Sequence, residues 1–148
     1  MPPPASRPIG LTLARTARAV SRAFDARLAE AGGSLPVWLI LLSLRTQALG
    51  NQRELANAVG IQGATLTHHL NAMERNGLVT RRRDPANRRV HLVELTPAGK
   101  ELFGRLRETA IAHDRRLRRG LTSAEVASLE QLLDRLHVNV ADDDPAVT

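Results

Sequence analysis

The first regular pattern along the chain is a set of apolar residues three or four positions apart. This spacing places them on one face of a helix. It predicts a helix over residues 9–30, roughly 33 Å long, and Gly32 and Gly33 predict its end. The apolar positions are Ile9, Leu13, Ala17, Val20, Phe24 and Leu28.

The segment 37–49 is apolar on nearly every side, which predicts a central buried helix, or one shared between the core and a subunit interface. Ser34 and Pro36 are its start signals, and Gly50 is its stop. Trp38, in its first turn, has two interpretations: plain packing in the core, or one wall of a ligand cleft.

Two short helices follow, joined by a turn that contains glycine. Asn51 is the expected N-cap of the first, with Glu54 in capping-box position, and this helix covers residues 52–59. After Gly60 the next helix is predicted over residues 63–75. A short helix, a glycine-containing turn and a second short helix form a helix-turn-helix pattern.

The second of these short helices has two chemically different faces. Leu66, Leu70 and Met73 share one face, which predicts that this face packs inward. The other sides carry short polar residues, which suit a helix that reads base edges in a major groove. His69 falls nearer the buried side, so a structural role stays open for it. The candidate base-reading residues are Gln62, Gly63, Ala64, Thr65, Thr67, His68, His69 and Asn71.

A basic hairpin is predicted next, with strands over residues 78–83 and 88–95 and a Pro-containing type I turn between them. Five arginines fall within residues 81–89. They are either a solvated charge cluster or a wing that enters a minor groove, and their position after a reading helix favours the wing. Asp84 is expected to hold one of the arginines. The candidate wing residues are Arg82, Arg83, Asp84, Asn87, Arg88 and Arg89.

Two further helices complete the chain. Thr96 and Pro97 predict the start of a long helix over residues 98–119, and Thr122 with Glu125 forms a capping box for the last one. The outer helices have apolar stripes that nothing else in the chain covers. This predicts a twofold dimer in which the first and last helices of two copies interleave.

The predicted fold class is mainly α with a small β-hairpin wing (α+β), that is, a winged helix-turn-helix with long flanking dimerisation helices. The two chain ends, one rich in proline and one acidic, are expected to be disordered. The expected segments are a disordered 1–8, one domain over 9–140 with its winged helix-turn-helix at 36–97 and dimerisation helices at 9–33 and 98–140, and a disordered 141–148.

Composition narrows the class of protein. The formal net charge is +6, and Lys100 is the one lysine among 21 basic residues. Arginine suits phosphates and the guanine edge. A GC-rich genome would raise the arginine content by itself, so the placement of the charge carries the argument. The chain has no cysteine, two phenylalanines and one tryptophan, which excludes thiolate metal sites and disfavours single-strand binding by stacking.

Other classes find little support. No apolar run approaches the roughly 18–20 residues of a membrane span, and the N-terminus lacks the apolar core of a signal peptide, so a cytoplasmic protein without a membrane partner is expected. No nucleophile motif, phosphate loop or carboxylate pair is evident. We therefore expect no enzyme activity and no cofactor.

Two alternatives to DNA binding remain. A metal-responsive site would need the histidines, but no pair has the i, i+4 spacing of a helical zinc site, so no metal is expected. A protein–protein adapter would expose apolar residues where this chain has polar ones. The histidines are His68, His69, His91, His113 and His137.

Several short motifs together resemble the MarR family of bacterial regulators over about residues 9–139. The wing and the Leu-Thr-Pro-Ala-Gly run that follows it are the specific part. The family's wing tip usually reads D-x-x-D-R, and this chain has Asn87 in place of the second acid; its amide can accept a hydrogen bond from Arg88 or Arg89 without charge assistance. The motifs are Pro36 with Trp38, Leu55-Ala56, Ala64-Thr65-Leu66-Thr67, Asn76-Gly77-Leu78-Val79 with Arg81, residues 82–89, and Leu95-Thr96-Pro97-Ala98-Gly99.

The resemblance implies a homodimer, associated with the bacterial nucleoid, that binds a pseudo-palindromic operator in double-stranded DNA. Two recognition helices would enter successive major grooves about one helical turn apart. It also implies a repressor released by a small aromatic acid, bound in a cleft between the dimer helices and the DNA-binding lobe. Arg15, Trp38 and His113 are the candidate cleft residues, because a phenolic anion suits an arginine and a flat apolar wall.

Overall fold

A computed structural model describes residues 7–46 and 51–141 of the chain. Within them are six helices and one antiparallel two-stranded hairpin, which confirms the predicted fold class. In chain order the elements are α1 (Ile9–Glu30), α2 (Leu35–Thr46), α3 (Gln52–Val59), α4 (Gly63–Arg75), β1 (Val79–Arg83), β2 (His91–Leu95), α5 (Pro97–Leu117) and α6 (Ser123–Ala141).

The second strand of the wing is shorter than the pattern predicts. The strand predicted over residues 88–95 begins only at His91. Arg88 and Arg89 lie in the loop instead, because the Asp84 N–H donates to the Val90 carbonyl at 2.8 Å and closes the loop there.

Other predicted boundaries agree closely or lie outside the described residues. The helix predicted over residues 98–119 is α5, two residues shorter at its end. The expected helix stop at Gly50 lies outside the described residues, as do 1–6 and 142–148, the main parts of the two segments expected to be disordered.

The described residues divide into two compact units, within residues 1–111 and within residues 112–148; the one domain predicted over residues 9–140 stays a prediction. In the first unit, α2 is the central helix, as predicted, and it packs against α1, α3, α4 and β2. The outer side of α4 stays free of this core. The fully buried side chains of the core are Leu28, Ile40, Leu41, Leu55, Leu66, Leu70, Met73, Val79 and Leu106.

Caps at both ends of α3 set the corner of the helix-turn-helix. Asn51 Oδ1 accepts a hydrogen bond from the Glu54 N–H at 2.8 Å, as the capping pattern predicts. At the other end Gly60 has φ +73°, a left-handed conformation that glycine adopts without a Cβ penalty. The chain then enters α4 at Gly63.

The base of the wing is fastened to the start of α5 by Thr96. Its hydroxyl donates to the Gly77 carbonyl and accepts from the Gly99 N–H at 3.0 Å, while its own N–H donates to the Leu78 carbonyl at 3.1 Å. Gly99 is buried, and a Cβ on it would collide with the Leu78 carbonyl oxygen. The Thr-Pro-Ala-Gly sequence therefore sets where α5 starts against the hairpin.

The second unit contains the end of α5 and all of α6. The Thr122 hydroxyl accepts from the Glu125 N–H at 3.1 Å, which is the predicted cap. No residue of α6 is buried, and Leu129, Leu132 and Leu133 on its predicted apolar face are exposed.

The close approach at Gly99 generates a stability prediction. Gly99→Ala should lower the free energy of unfolding by about 1–3 kcal/mol, because the backbone around a filled position must shift. Gly104→Ala is the matched control in the same helix: nothing lies within 4 Å of its Cβ position, so alanine there should stabilise the protein by roughly 0.5–1 kcal/mol. Chemical denaturation measures both variants, and equal stabilities would contradict the close approach.

Candidate nucleic-acid interface

The outward side of α4 carries most of the predicted base-reading residues. Its inward face is buried through Leu66, Leu70 and Met73, as the spacing predicts. His69 is half-buried and its ring makes an edge contact with the ring of His68, with 5.8 Å between centroids. The exposed members of the predicted set are Gln62, Gly63, Ala64, Thr65, His68 and Asn71.

Thr67 has a structural role that its sequence position does not reveal. Its hydroxyl donates to the Gly63 carbonyl at 2.9 Å and accepts from the Gln52 side-chain amide at 2.6 Å. Both bonds lie within the helix-turn-helix, so Thr67 joins α3 to α4. Gln52 was not predicted, because its partner lies fifteen residues away and no motif marks the pair.

The tip of the wing is built from two consecutive turns, each closed by a main-chain hydrogen bond and a side-chain hydrogen bond. Asp84 Oδ1 accepts from the Ala86 N–H at 2.9 Å, and Asn87 Oδ1 accepts from the Arg89 N–H at 3.2 Å. The expectation that Asp84 holds an arginine is wrong: its carboxylate is used by the turn, and no arginine pairs with it among the described residues. Of the two arginines expected as possible donors to the Asn87 amide, Arg88 and Arg89, it is Arg89 that donates, through its main-chain N–H.

The wing arginines fall into two groups. Arg82 pairs with Glu94 across the hairpin at 3.0 Å, and both side chains are more than half exposed. Arg83, Arg88 and Arg89 are exposed, and no hydrogen bond or ion pair joins their guanidinium groups to another part of the described chain. These three arginines present their charge to solvent at the end of the hairpin.

Arg81 is held by α4. Its guanidinium donates to Asn71 Oδ1 and to Glu74 Oε1, the latter at 3.2 Å, and its main-chain N–H donates to Glu74 Oε2 at 3.1 Å. The hydrogen bond and the charge of Arg81 lower the pKa of Glu74. The sequence pattern places Arg81 in the basic cluster, and its role against α4 was not predicted. The available signal was the acid in the last turn of the helix, seven residues before the arginine.

A cleft lies between the helix-turn-helix and the wing, with a cavity volume of about 1030 Å³. The main chains of Asn51 and Leu92 pair at its side in an isolated β-bridge, so the wing is tied to the start of α3 as well. The α3 residues of this cleft were not predicted. The cleft is lined by Asn51, Gln52, Arg53, Ala56, Asn57, Ile61, Gln62, Gly63, Thr67, Arg81, Arg89, Val90 and His91.

The three candidate ligand-cleft residues are not among the residues that line this cavity. Arg15 is exposed on α1. Trp38 is buried and stacks on Phe103, with ring centroids 5.6 Å apart, so one ring face is used for packing. His113 is buried in the second unit. A ligand site formed by these residues stays a prediction.

The described part of the chain offers neither a metal cluster nor a single membrane-spanning helix. Over residues 7–46 and 51–141, no three histidine, aspartate or glutamate side chains are grouped closely enough to hold a metal ion. No single described helix is long and apolar enough to cross a membrane; α1 and α2 pass that test only as a pair, across a bend of 78°.

Fold and site together define a winged helix-turn-helix of the DNA-binding type: a packed α3–α4 corner, a polar outer face on α4 and a basic hairpin beside it. A sequence model described as the MarR family matches residues 34–91, which contain all of these parts except the end of β2. Together with the 33% identical transcriptional regulator PA3341, this match shows that the chain belongs to the MarR family of transcriptional regulators.

Solved structures of several regulators are similar over most of their length. For PA3341, 91% of this chain and 99% of that chain are covered, with a TM-score of 0.75. The repressor CouR bound to a 23-mer DNA duplex is 29% identical, with coverages of 88% and 92% and a TM-score of 0.79. A structure of CouR from Rhodococcus jostii RHA1 bound to p-coumaroyl-CoA is 27% identical, with coverages of 90% and 94% and a TM-score of 0.74.

Another similar protein also connects the fold to a small molecule. It is Bordetella bronchiseptica BpsR, whose DNA binding is regulated by 6-hydroxynicotinic acid. BpsR is 25% identical to this chain, with coverages of 93% and 98% and a TM-score of 0.79.

Proposed function

We propose that this chain is a homodimeric repressor without catalytic activity, acting in the cytoplasm on a pseudo-palindromic operator in double-stranded DNA. One observation carries the proposal. The start of α4 and the end of the hairpin line one cleft, and the guanidinium groups of Arg83, Arg88 and Arg89 at that end have no partner in the described protein. Three like charges kept close together without counter-charges are costly unless a polyanion meets them, and the polar helix face disfavours an adapter role.

The proposed interface has two parts with different tasks. Gln62, Thr65 and His68 are exposed at the start of α4, where a recognition helix contacts base edges. Arg88 and Arg89 would contact phosphates or the minor groove, which supplies affinity with little sequence information. We assign Thr67 and Asn71 smaller parts in reading than their positions suggest, because their side-chain oxygens already have protein partners.

The dimer part of the proposal rests on large apolar side chains that are exposed to solvent. Ile9 of α1 is 67% exposed, and Leu132 and Val140 of α6 are 53% and 65% exposed. On α6 the exposed Leu132 shares the predicted apolar face with Leu129 and Leu133, and an exposed apolar face of this kind marks an interaction site. A second copy is the proposed occupant, since a twofold operator calls for two recognition helices in fixed register.

The effector part of the proposal comes from the relatives. CouR from Rhodococcus jostii RHA1 binds an aromatic acyl-CoA thioester, and BpsR responds to a hydroxylated aromatic acid. We propose that this chain also releases DNA on binding a small aromatic carboxylate or its thioester. Arg15, Trp38 and His113 are the candidate ligand contacts.

The wing contribution is testable with charge-matched variants. Arg88→Ala/Arg89→Ala should weaken binding to operator and unrelated DNA alike and lower the slope of log affinity against log salt by about one for each phosphate no longer bound. Arg18→Ala/Arg22→Ala removes the same charge from exposed positions of α1 and should leave the slope nearly unchanged. Fluorescence anisotropy on the promoter next to the gene measures both, and wild-type binding by the wing variant would overturn the role.

The contribution of base reading to affinity should be separable from the non-specific contribution of the wing. In the same assay Thr65→Ala or His68→Ala should reduce operator binding more than binding to unrelated DNA, because each bond to a base edge supplies about 1–3 kcal/mol of discrimination. An equal reduction on both DNAs would contradict a reading role.

Dimer formation is testable with one buried charge. Leu132→Asp should convert a dimer to a monomer and reduce operator affinity at least tenfold, since an unpaired carboxylate in an apolar interface is costly. Sedimentation or light scattering gives the mass. Glu130→Gln, at an exposed position of the same helix, is the control. A monomeric wild type that binds the whole operator would contradict the dimer.

The effector is testable with a panel of benzoates, hydroxybenzoates, cinnamates and their CoA thioesters. At least one should raise the melting temperature, as binding to the native state does, and lower operator affinity. Arg15→Ala should lose this response and keep its operator affinity without ligand. A wild type that responds to no compound would contradict the effector part and leave the DNA-binding part standing.

A further inference from the structure

Arg81 differs from the other wing arginines in burial and in partners. Its side chain is 18% exposed, against 58% for Arg82. Its contacts are on α4, with Asn71 and Glu74, which are three residues apart and therefore share a helix face. Arg81 thus links the hairpin to the recognition helix.

The link fixes both the side chain and the backbone of one residue in β1. Glu74 uses one carboxylate oxygen for the guanidinium and the other for the main-chain N–H of Arg81, at 3.2 and 3.1 Å. Charge-assisted bonds from two atoms of one residue restrict the direction of a strand more than one exposed ion pair does. The bond from Asn71 adds a third point of attachment.

The position of the link along the hairpin is the second observation. Val79 and Val93 are buried, so the core holds the base of the hairpin. Beyond Arg81 no residue of the hairpin up to Val90 is buried. That projecting part contains the three arginines without a partner in the described chain, Arg83, Arg88 and Arg89. The contact of Arg81 with α4 is at the start of that part.

Glu94 provides an internal comparison. It accepts a hydrogen bond from Arg82 at 3.0 Å, but both residues belong to the hairpin and both are more than half exposed. This ion pair therefore does not connect the wing to any other element.

We propose that Glu74 and Asn71 of α4 clamp Arg81 of β1 and so set the position of the wing relative to the recognition helix, which makes Glu74 and Asn71 positioning residues for operator binding. The inference rests on the proposed DNA-binding function and deepens it. A wing held in one position loses less conformational entropy when it meets the DNA backbone. The affinity for DNA, a polyanion, then depends on the carboxylate of Glu74, which lies next to the proposed binding surface.

The clamp and simple electrostatics predict opposite signs for one substitution. Glu74→Gln makes the protein more positive by one charge, which by itself should tighten binding to DNA. If Glu74 positions the wing, the variant should instead bind the operator about tenfold more weakly. Glu94→Gln changes the charge by the same amount and should bind as tightly as wild type or more tightly.

The experiment measures the operator affinity of these two variants by fluorescence anisotropy, alone and combined with Arg88→Ala/Arg89→Ala. A clamp that acts through the wing should matter little once the wing arginines are gone, so the combined reduction in affinity should fall short of additivity. A Glu74→Gln variant that binds as well as wild type, or a reduction that is fully additive with the wing variant, would overturn the proposal.

A second measurement on the free protein separates this inference from the DNA-binding function. Amide hydrogen exchange in residues 84–90 should become faster in Glu74→Gln and stay unchanged in Glu94→Gln, because only the first variant weakens the attachment of the hairpin to α4. Unchanged exchange in both would overturn the clamp. If the wild type bound no DNA, the proposed function would fail, while the exchange result would still decide on the clamp.

Discussion

The constraint on which the rest depends is the rotation of α4 about its own axis. Leu66 and Leu70 are fully buried and Met73 nearly so, and a helix turns by 100° per residue. Those three side chains fix which residues face away from the core. A register shifted by one residue would bury polar groups without partners, at a cost of several kcal/mol. The packing that stabilises α4 therefore also determines which of its faces is exposed.

Whether an arginine of the wing has a carboxylate partner depends on its position along the hairpin. Two of its arginines have carboxylate partners, and three at the projecting end have none among the described residues. An exposed pair such as Arg82–Glu94 contributes only about 0–1 kcal/mol, so its main effect is to reduce repulsion at the base of the hairpin. The unpartnered charges lie where a second polyanionic molecule can reach them. On the proposed function, folding and DNA binding therefore use different members of one arginine cluster.

Local patterns predicted the elements, and distant pairs escaped prediction for a physical reason. The helix period, the caps at Asn51 and Thr122, and the glycine after α3 act within one turn of chain, so a linear reading finds them. The bonds of Thr67 to Gln52 and of Arg81 to Asn71 join residues fifteen and ten positions apart. Such pairs depend on how α3, α4 and β1 are packed. Asp84 was misassigned for a different reason: its charge suggested an ion pair, but its carboxylate accepts a local hydrogen bond from the Ala86 N–H two residues on.

At position 87, the hydrogen bond that shapes the turn does not require a negatively charged side chain. Asn87 Oδ1 accepts from the Arg89 main-chain N–H, one of the two bonds that close the second turn of the wing tip. An aspartate would make the same bond with a full charge, so the loop geometry does not require the acid. The neutral amide leaves the loop one unit more positive beside Arg88 and Arg89. The departure from the usual family pattern therefore leaves the shape of the wing tip intact and increases its attraction for phosphate.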